Sequence, residues 1–276
     1  MSSKKELYIV TGIDSGIGYS LCETLEKNDK FIVGGFLNES YPLQNKEKTF
    51  TKKIDLTIKK DIDLFVDFVK EIIQTKKVKL KALINNAGIA IAGTIENLDI
   101  EKYRQNFEVN YFGTVYLTHK LLPLIMKEKG IVVNISSLAG RIAPPFAAPY
   151  ASSKFALEAF SDVLRREMKP VGVKVIVIEP GSIATPIWNK IKQVDYSFIN
   201  NKYDTTKDMF LKNFVDGGNN GLSPDIAAKK IFKIIQKKNP NTRYIISQNV
   251  LLDSLKIIMP PKILDYLIMK LFKMKY

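Results

Sequence analysis

The sequence predicts a doubly wound α/β fold: a mostly parallel sheet with helices on both faces, in a single domain. Three observations carry that expectation. Apolar runs of strand length recur along the 276 residues, each followed by a segment of helical period. The runs are continuously apolar rather than alternating, the pattern of strands buried on both faces. A glycine cluster also stands where the first run hands over to the first helical segment.

Taken in order, residues 7–11 form the first buried strand and 17–26 the helix behind it. Residues 31–37 are the next strand, and 62–73 repeat apolar residues at helical spacing. A strand at 80–85 precedes a long helical stretch at 103–126. Strands at 131–136 and 173–179 flank a helical segment at 155–168, and 243–247 is a last short strand. Residues 186–222 break the rhythm: they carry Trp188, Tyr196, Phe198, Tyr203, Phe210 and Phe214 and end in Gly217-Gly218-Asn219-Asn220-Gly221. Long insertions in compact domains tend to be lids or binding loops, so this one is expected to be a substrate lid. Ser223-Pro224 reads as the cap and first residue of a further helix. A C-terminal segment at 251–276 ends in an amphipathic, basic stretch, with Ile263, Leu264, Leu267, Ile268, Leu271 and Phe272 set against Lys262, Asp265, Lys270 and Lys273. It is expected to pack on the domain, to cover a homo-oligomer contact, or to lie on a membrane surface.

A chain of this length buries roughly 70–75% of its unfolded surface and needs no disulfide or metal staple. Cys22 is the only cysteine and His119 the only histidine. That excludes a disulfide framework and a multi-histidine zinc centre; both residues read as structural. The net charge is +14, but the lysines are scattered in pairs rather than clustered, which argues for a solvated surface and against a nucleic-acid partner. With one cysteine, no export signal and no apolar run of 18 residues, the expected location is the cytoplasm, with peripheral membrane contact through the C-terminal segment left open.

Thr11-Gly12-Ile13-Asp14-Ser15-Gly16-Ile17-Gly18 opens the first helix. A bound pyrophosphate needs bare backbone N–H groups and the positive end of a helix dipole, and glycine removes the Cβ that would block its approach. A plain strand-to-helix turn would use the same residues. The spacing TGxxxGxG, taken with four motifs further along the chain, resembles the short-chain dehydrogenase/reductase family. Asn85-Asn86-Ala87-Gly88, Asn134-Ile135-Ser136-Ser137, Tyr150-Ala151-Ser152-Ser153-Lys154 and Pro180-Gly181 match its later landmarks in order. The resemblance implies one NAD(P)-binding, Rossmann-like domain over residues 1–276.

Tyr150 and Lys154 are one helical turn apart, which places them on one face. A phenol with a pKa near 10 is a poor base at neutrality; a lysine cation beside it favours the phenolate, and bringing it to neutrality is worth roughly 4 kcal/mol. Tyr150 then takes the proton of an alcohol as hydride leaves, or gives one to a carbonyl. A core tyrosine with a surface lysine would show the same spacing. The resemblance implies the catalytic role: Tyr150 as acid/base, Lys154 lowering its pKa and bonding the nicotinamide ribose, Ser137 bonding the substrate oxygen, and Asn110 holding a water to the lysine. It further implies that Gly12, Ser15, Gly16, Ile17 and Gly18 cradle the cofactor phosphates. Leu37 would stand at the position that discriminates cofactors. Asp55 and Leu56 would meet the adenine, Asn86, Ala87 and Gly88 would line the floor, and Pro180, Gly181, Ile183 and Thr185 would grip the nicotinamide end.

An acid at the tip of the second strand suits NAD and an arginine suits NADP; Phe36 and Leu37, just ahead of Asn38 and Glu39, are neither. Asp14 would repel a 2′-phosphate, so NAD is favoured and NADP stays open. Asp14-Ser15-Gly16, Gly140-Arg141, Glu158-Ala159-Phe160-Ser161-Asp162 with Leu164-Arg165-Arg166-Glu167, and Asn241-Thr242-Arg243-Tyr244 look like the retinol and hydroxysteroid dehydrogenase branch. That implies a large apolar alcohol or carbonyl, steroid-, retinoid- or lipid-like, which the aromatics of 186–222 suit. The alternative is a catalytically silent, dinucleotide-binding regulatory protein; the intact Asn110, Ser137, Tyr150 and Lys154 speak against it.

Overall fold

The computed structural model describes residues 5–38 and 47–274. Glu39, at the tip of the second strand, and the last two residues of the C-terminal segment lie outside the described residues.

Seven parallel strands form one sheet in the order β3-β2-β1-β4-β5-β6-β7. They are β1 (Glu6–Thr11), β2 (Phe31–Phe36), β3 (Thr49–Lys53), β4 (Lys79–Asn85), β5 (Ile131–Ile135), β6 (Lys174–Pro180) and β7 (Arg243–Ile246). The helices are α1 (Gly16–Lys27), α2 (Lys59–Lys76), α3 (Ile100–Phe107), α4 (Thr114–Glu128), α5 (Ala148–Met168), α6 (Ile187–Lys192), α7 (Asp204–Phe210), α8 (Gly217–Asn219), α9 (Pro224–Ile235), α10 (Val250–Ile258) and α11 (Pro261–Leu271). The continuously apolar strands are explained by two cores. On β1, Tyr8 and Val10 pack with Leu21 and Leu25 of α1 and Ile231 of α9. Leu7 and Ile9 pack on the other face with Phe65 of α2, Leu117 of α4 and Leu164 of α5. The strand order reverses between β1 and β4, which opens the crevice at the carboxyl edge where α/β sheets bind ligands.

The expected strands and helices all appear, with three differences. The long stretch at 103–126 is α3 and α4 joined by a π turn, Glu108–Gly113. β3 was not expected: it is a short edge strand with a largely polar sequence, Thr-Phe-Thr-Lys-Lys, and edge strands need no apolar run. The segment 186–222 is mostly helical rather than an open loop: α6, α7 and α8 with a second π turn at Leu211–Asp216. Its ends are clasped together, because Ala184 N–H donates to Leu222 C=O and Leu222 N–H to Ser182 C=O. Phe210 and Val215 of this segment form a third, smaller core with Phe146 and Phe272.

Candidate active site

The glycine turn is locked to the end of β4. Thr11 Oγ1 accepts from the N–H groups of Asn86 and Ala87, both at 3.1 Å, and Asn86 Nδ2 donates to the carbonyls of Thr11 and Gly12 at 2.9 and 3.0 Å. Gly12 has φ +68°, and a Cβ there would fall 2.7 Å from Ala87 Cα. A Cβ at Gly18 would collide with the Gly12 carbonyl, so Gly18 brings helix and turn together from behind the cavity wall. Ser15, the residue before α1, makes no side-chain capping bond, leaving the first N–H groups of that helix for a ligand. A cradle this close to the backbone fits a pyrophosphate.

Asp14 bridges the turn to the tip of β2. Its Oδ1 accepts from Leu37 N–H at 3.0 Å and Asn38 N–H at 2.8 Å. Its carboxylate therefore holds the backbone donors beside Leu37. Asp55 accepts from the N–H and hydroxyl of Thr57 at 2.8 and 2.7 Å and lines the cavity with Leu56.

Tyr150 and Lys154 face the end of β5 from the first turns of α5. Lys154 is 4% exposed. Its Nζ donates to the Ile135 carbonyl at 2.8 Å and lies 5.8 Å from the centre of the Tyr150 ring. Burial pulls the ammonium down to about 8, opposed by the charge of Glu158 one turn along α5. Burial pushes the Tyr150 phenol up, opposed by its hydrogen bond with Ser137. Ser137 is fixed in turn as the cap of a short 3₁₀ helix, Oγ accepting from Ala139 N–H at 3.0 Å. A neutral phenol beside a held serine hydroxyl is arranged to give a proton to an oxygen placed between them.

Asn110 sits in the first π turn and is 1% exposed. Its Oδ1 accepts from Ile89 N–H at 2.9 Å. Its Nδ2 donates to Ile89 C=O at 2.9 Å, Asn106 Oδ1 at 2.8 Å and Ser153 Oγ at 3.0 Å. It stands behind the cavity wall, close to Lys154: a Cβ at Gly88 would lie 3.2 Å from Asn110 Oδ1 and 3.6 Å from Lys154 Nζ.

One cavity of about 650 Å³ joins these parts. Gly12, Ser15, Gly16, Ile17, Leu37, Asp55, Leu56, Asn86, Ala87, Gly88, Pro180, Gly181, Ile183 and Thr185 line it, together with Ser137, Tyr150 and Lys154. Of the residues expected at the site, only Gly18 and Asn110 do not reach the lumen. Beyond Tyr150 the wall is mostly apolar, with Ile142, Pro144, Trp188, Phe210, Phe214 and Phe272; the charged residues Lys190, Asp253 and Lys256 also line the cavity. Three aromatics of 186–222, Trp188, Phe210 and Phe214, reach the cavity, and Tyr196, Phe198 and Tyr203 do not. Phe210 also stacks between Phe146 and Phe214 at 5.4 and 5.5 Å, holding the segment to the body. Sequence reasoning missed Asn213, in the second π turn. It lines the apolar end, and its Nδ2 is sealed from solvent with no partner. Its only sequence signal was a polar residue between Phe210 and Phe214. His119 is exposed on α4 and Cys22 is buried in the core, neither at the cavity.

The sequence model of the family described as short chain dehydrogenase matches residues 6–195. The chain belongs to that family. The chain is 35% identical to an NADPH-dependent 3-dehydrocapnine reductase of Ornithobacterium rhinotracheale, over 95% of each chain. It is 32% identical to the mitochondrial D-beta-hydroxybutyrate dehydrogenase of Bos taurus, over 86% of this chain and 75% of that one. Among solved structures it is similar to a short-chain dehydrogenase from Streptomyces avermitilis, with TM-score 0.77 and 25% identity over 98% of this chain and 96% of that one. As a short-chain dehydrogenase/reductase, the chain is an oxidoreductase acting on a CH–OH group with a nicotinamide dinucleotide, NAD or NADP.

Proposed function

We propose that this oxidoreductase interconverts an apolar alcohol and its ketone or aldehyde, with a steroid-, retinoid- or lipid-like body. The observation that carries the reading is the continuity of the cavity. It runs from the glycine cradle past Ser137, Tyr150 and Lys154 into a wall of Ile142, Pro144, Trp188, Phe210 and Phe214. Burying an apolar body there contributes about 25 cal/mol per Å². Asn213 stands among these apolar residues with its Nδ2 buried and unpartnered, and we assign it to a second polar group on the substrate.

The cradle fits a dinucleotide with its pyrophosphate over the α1 N-terminus and its nicotinamide end at Pro180, Gly181, Ile183 and Thr185. Bound there, the nicotinamide supplies or accepts the hydride. In reduction, Ser137 and the neutral Tyr150 phenol hold the carbonyl oxygen, and Tyr150 gives it a proton. In oxidation, Tyr150 takes the alcohol proton, and Lys154, as a cation, stabilises the phenolate. We assign NAD as the favoured cofactor, because the Asp14 carboxylate already occupies the backbone donors beside Leu37 and repels a 2′-phosphate. The Ornithobacterium relative is NADPH-dependent by name, so Asp14 is the feature to test.

We further assign the open face of α10 and α11 to a peripheral bilayer contact. Leu251 is 74% and Ile258 77% exposed, and Ile263, Tyr266 and Leu271 are about half exposed. Lysines 256, 262, 270 and 273 flank them, on a chain of charge +14. No described helix is long and apolar enough to cross a membrane. With this face assigned to the bilayer, the homo-oligomer we expect uses another.

The test is a panel of apolar alcohols and carbonyls with each cofactor, read by nicotinamide absorbance, on the wild-type protein and Tyr150→Phe. The variant keeps the ring and loses the proton carrier. Turnover should fall on the order of 10²–10⁴-fold while cofactor still binds. Near-normal turnover in Tyr150→Phe would sink the assignment, and binding without turnover by the wild type would favour the regulatory alternative.

A further inference from the structure

Four stretches far apart in the sequence meet one helical turn from Lys154. Arg243, on β7, lies at the centre. Its Nε is 3.0 Å from Glu158 Oε2 and 3.4 Å from Glu179 Oε1, and its Nη2 is 2.9 Å from Asp162 Oδ1. Arg141, in the loop after β5, closes the far side with Nη1 3.0 Å from Glu179 Oε1. The Glu158 and Glu179 side chains are 7% and 2% exposed. Carboxylates this deep are tolerated only when paired, and the two arginines pair them. One atom is left over: Glu158 Oε1 is buried and has no hydrogen-bond partner.

Lys154 presents the complementary anomaly. It is buried, the only hydrogen bond of its ammonium among the described residues is to the neutral Ile135 carbonyl, and no described carboxylate lies within ion-pair distance. Glu158 is four residues along α5, hence on the same face. The remaining charged groups near α5 do not reach Lys154. Arg165, Arg166 and Glu167 continue α5 away from it. Glu101, Lys102, Arg104 and Glu108, from α3 and the π turn, and Lys169 are exposed; Tyr103, Tyr111 and, on β6, Lys174 are half-buried. Asn106, Asn110 and Ser136 are neutral.

We propose that Glu158, clamped by Arg243 within the Glu179–Arg141 network, is a positioning residue for Lys154: its carboxylate is the counter-charge that keeps the lysine cationic at a site where no acid touches it. This rests on the proposed role of Lys154 as the cation that favours the Tyr150 phenolate. It also gives Gly140-Arg141, Glu158-to-Asp162 and Arg243, the stretches behind the narrower family resemblance, a common physical task. The direction agrees with the electrostatics of the site, in which burial lowers Lys154 and Glu158 raises it.

The test needs no substrate, so its failure is separable from failure of the proposed activity. The full-length protein is labelled with ¹³C-lysine, the Lys154 Cε signal is assigned by its loss in Lys154→Arg, and its titration is followed by NMR. Glu158→Gln keeps the size and an acceptor for Arg243 but removes the charge. The Lys154 midpoint should fall by about 0.5–1 pH unit, and Glu158→Asp, which restores the charge, should bring it back toward the wild-type value. An unchanged or raised midpoint in folded Glu158→Gln overturns the proposal. The wild-type protein supplies a second arm should that variant not fold. Buried lysines lacking a counter-charge titrate at about 5–6, so a wild-type midpoint in that range overturns it too.

Discussion

The described residues contain two π turns, and each carries an asparagine. Asn110, in the first, uses both ends of its amide: Oδ1 holds the Ile89 N–H, and Nδ2 holds Ile89 C=O, Asn106 and Ser153. Asn213, in the second, has its side-chain Nδ2 buried with no hydrogen-bond partner among the described residues. The backbone device is the same, a wide turn of the sort that recurs at functional sites, but the two amides are set for different work. A saturated amide fixes the geometry of its neighbours, here the strand-end loop beside Lys154. An unsatisfied one lowers the stability of the empty protein and gains a partner only when something fills the cavity. Of the two turns, the one beside Lys154 is built in the first manner and the one within 186–222 in the second.

The largest effect should come from breaking the saturated turn. Asn110→Ala leaves the Ile89 N–H and C=O without their partner and Asn106 Oδ1 with only the Ser153 hydroxyl. Unmet buried groups cost about 1–3 kcal/mol each, partly recovered by relaxation, so a loss of about 2–4 kcal/mol is expected in a denaturant titration. Turnover should fall with it, since Lys154 shares that wall. A stability change under about 0.5 kcal/mol would mean that Asn110 is not the fastener its bonds describe.

Next in size is a difference in opening between the two regions. Amides of 187–222 should exchange faster than those of β1, β4 and β5 in the free protein and slow when cofactor and an apolar ligand bind. The clasp at Ile183–Leu222 lets the segment move as a unit beside the residues assigned to the nicotinamide end. Equal protection with and without ligands would make the segment plain core rather than lid. Within the same experiment α11 separates its two faces. Phe272 is buried against Phe214, with ring centres 6.0 Å apart, so the end of the helix should stay protected throughout. Further slowing of 251–271 on adding anionic vesicles would support the bilayer contact; no response to vesicles would count against it.

The same contrast explains what was legible in the sequence. The body was readable because its physics is local. A continuous apolar run is a doubly buried strand, and Thr11-Gly12 with Gly16 and Gly18 marks a tight turn from the first strand into the first helix. Tyr150 and Lys154 share a face because they are four apart. β3 was invisible because Thr49–Lys53 covers an edge and needs no apolar pattern. The helices within 186–222 were obscured by its glycines. Gly218 is there because the Trp188 indole lies against it, a tertiary contact that no local rule reports. The Arg243 cluster shows the same limit: its members appeared as separate motifs, and only the fold brings β7, β6 and α5 together.

The smallest expected change in stability, and the sharpest test of the comparison, is at Asn213. Replacing it with leucine removes an amide that the empty protein does not use, at nearly constant volume. By the asymmetry of hydrogen bonding, deleting an unpaired buried polar group is neutral or mildly stabilising, so the melting temperature should hold or rise slightly, in contrast to Asn110→Ala. Function should move the other way, and selectively. For substrates with a second oxygen or nitrogen remote from the reacting carbonyl, Asn213→Leu should raise KM by about 5–30-fold, the worth of roughly 1–2 kcal/mol, with kcat little changed because the contact is the same in ground and transition states. For substrates lacking that group KM should be unchanged or lower. The selectivity matters because a merely structural asparagine would alter both classes together. If Asn213→Leu destabilises the protein as Asn110→Ala does, the amide is satisfied by a contact within the chain, and the two turns are alike after all.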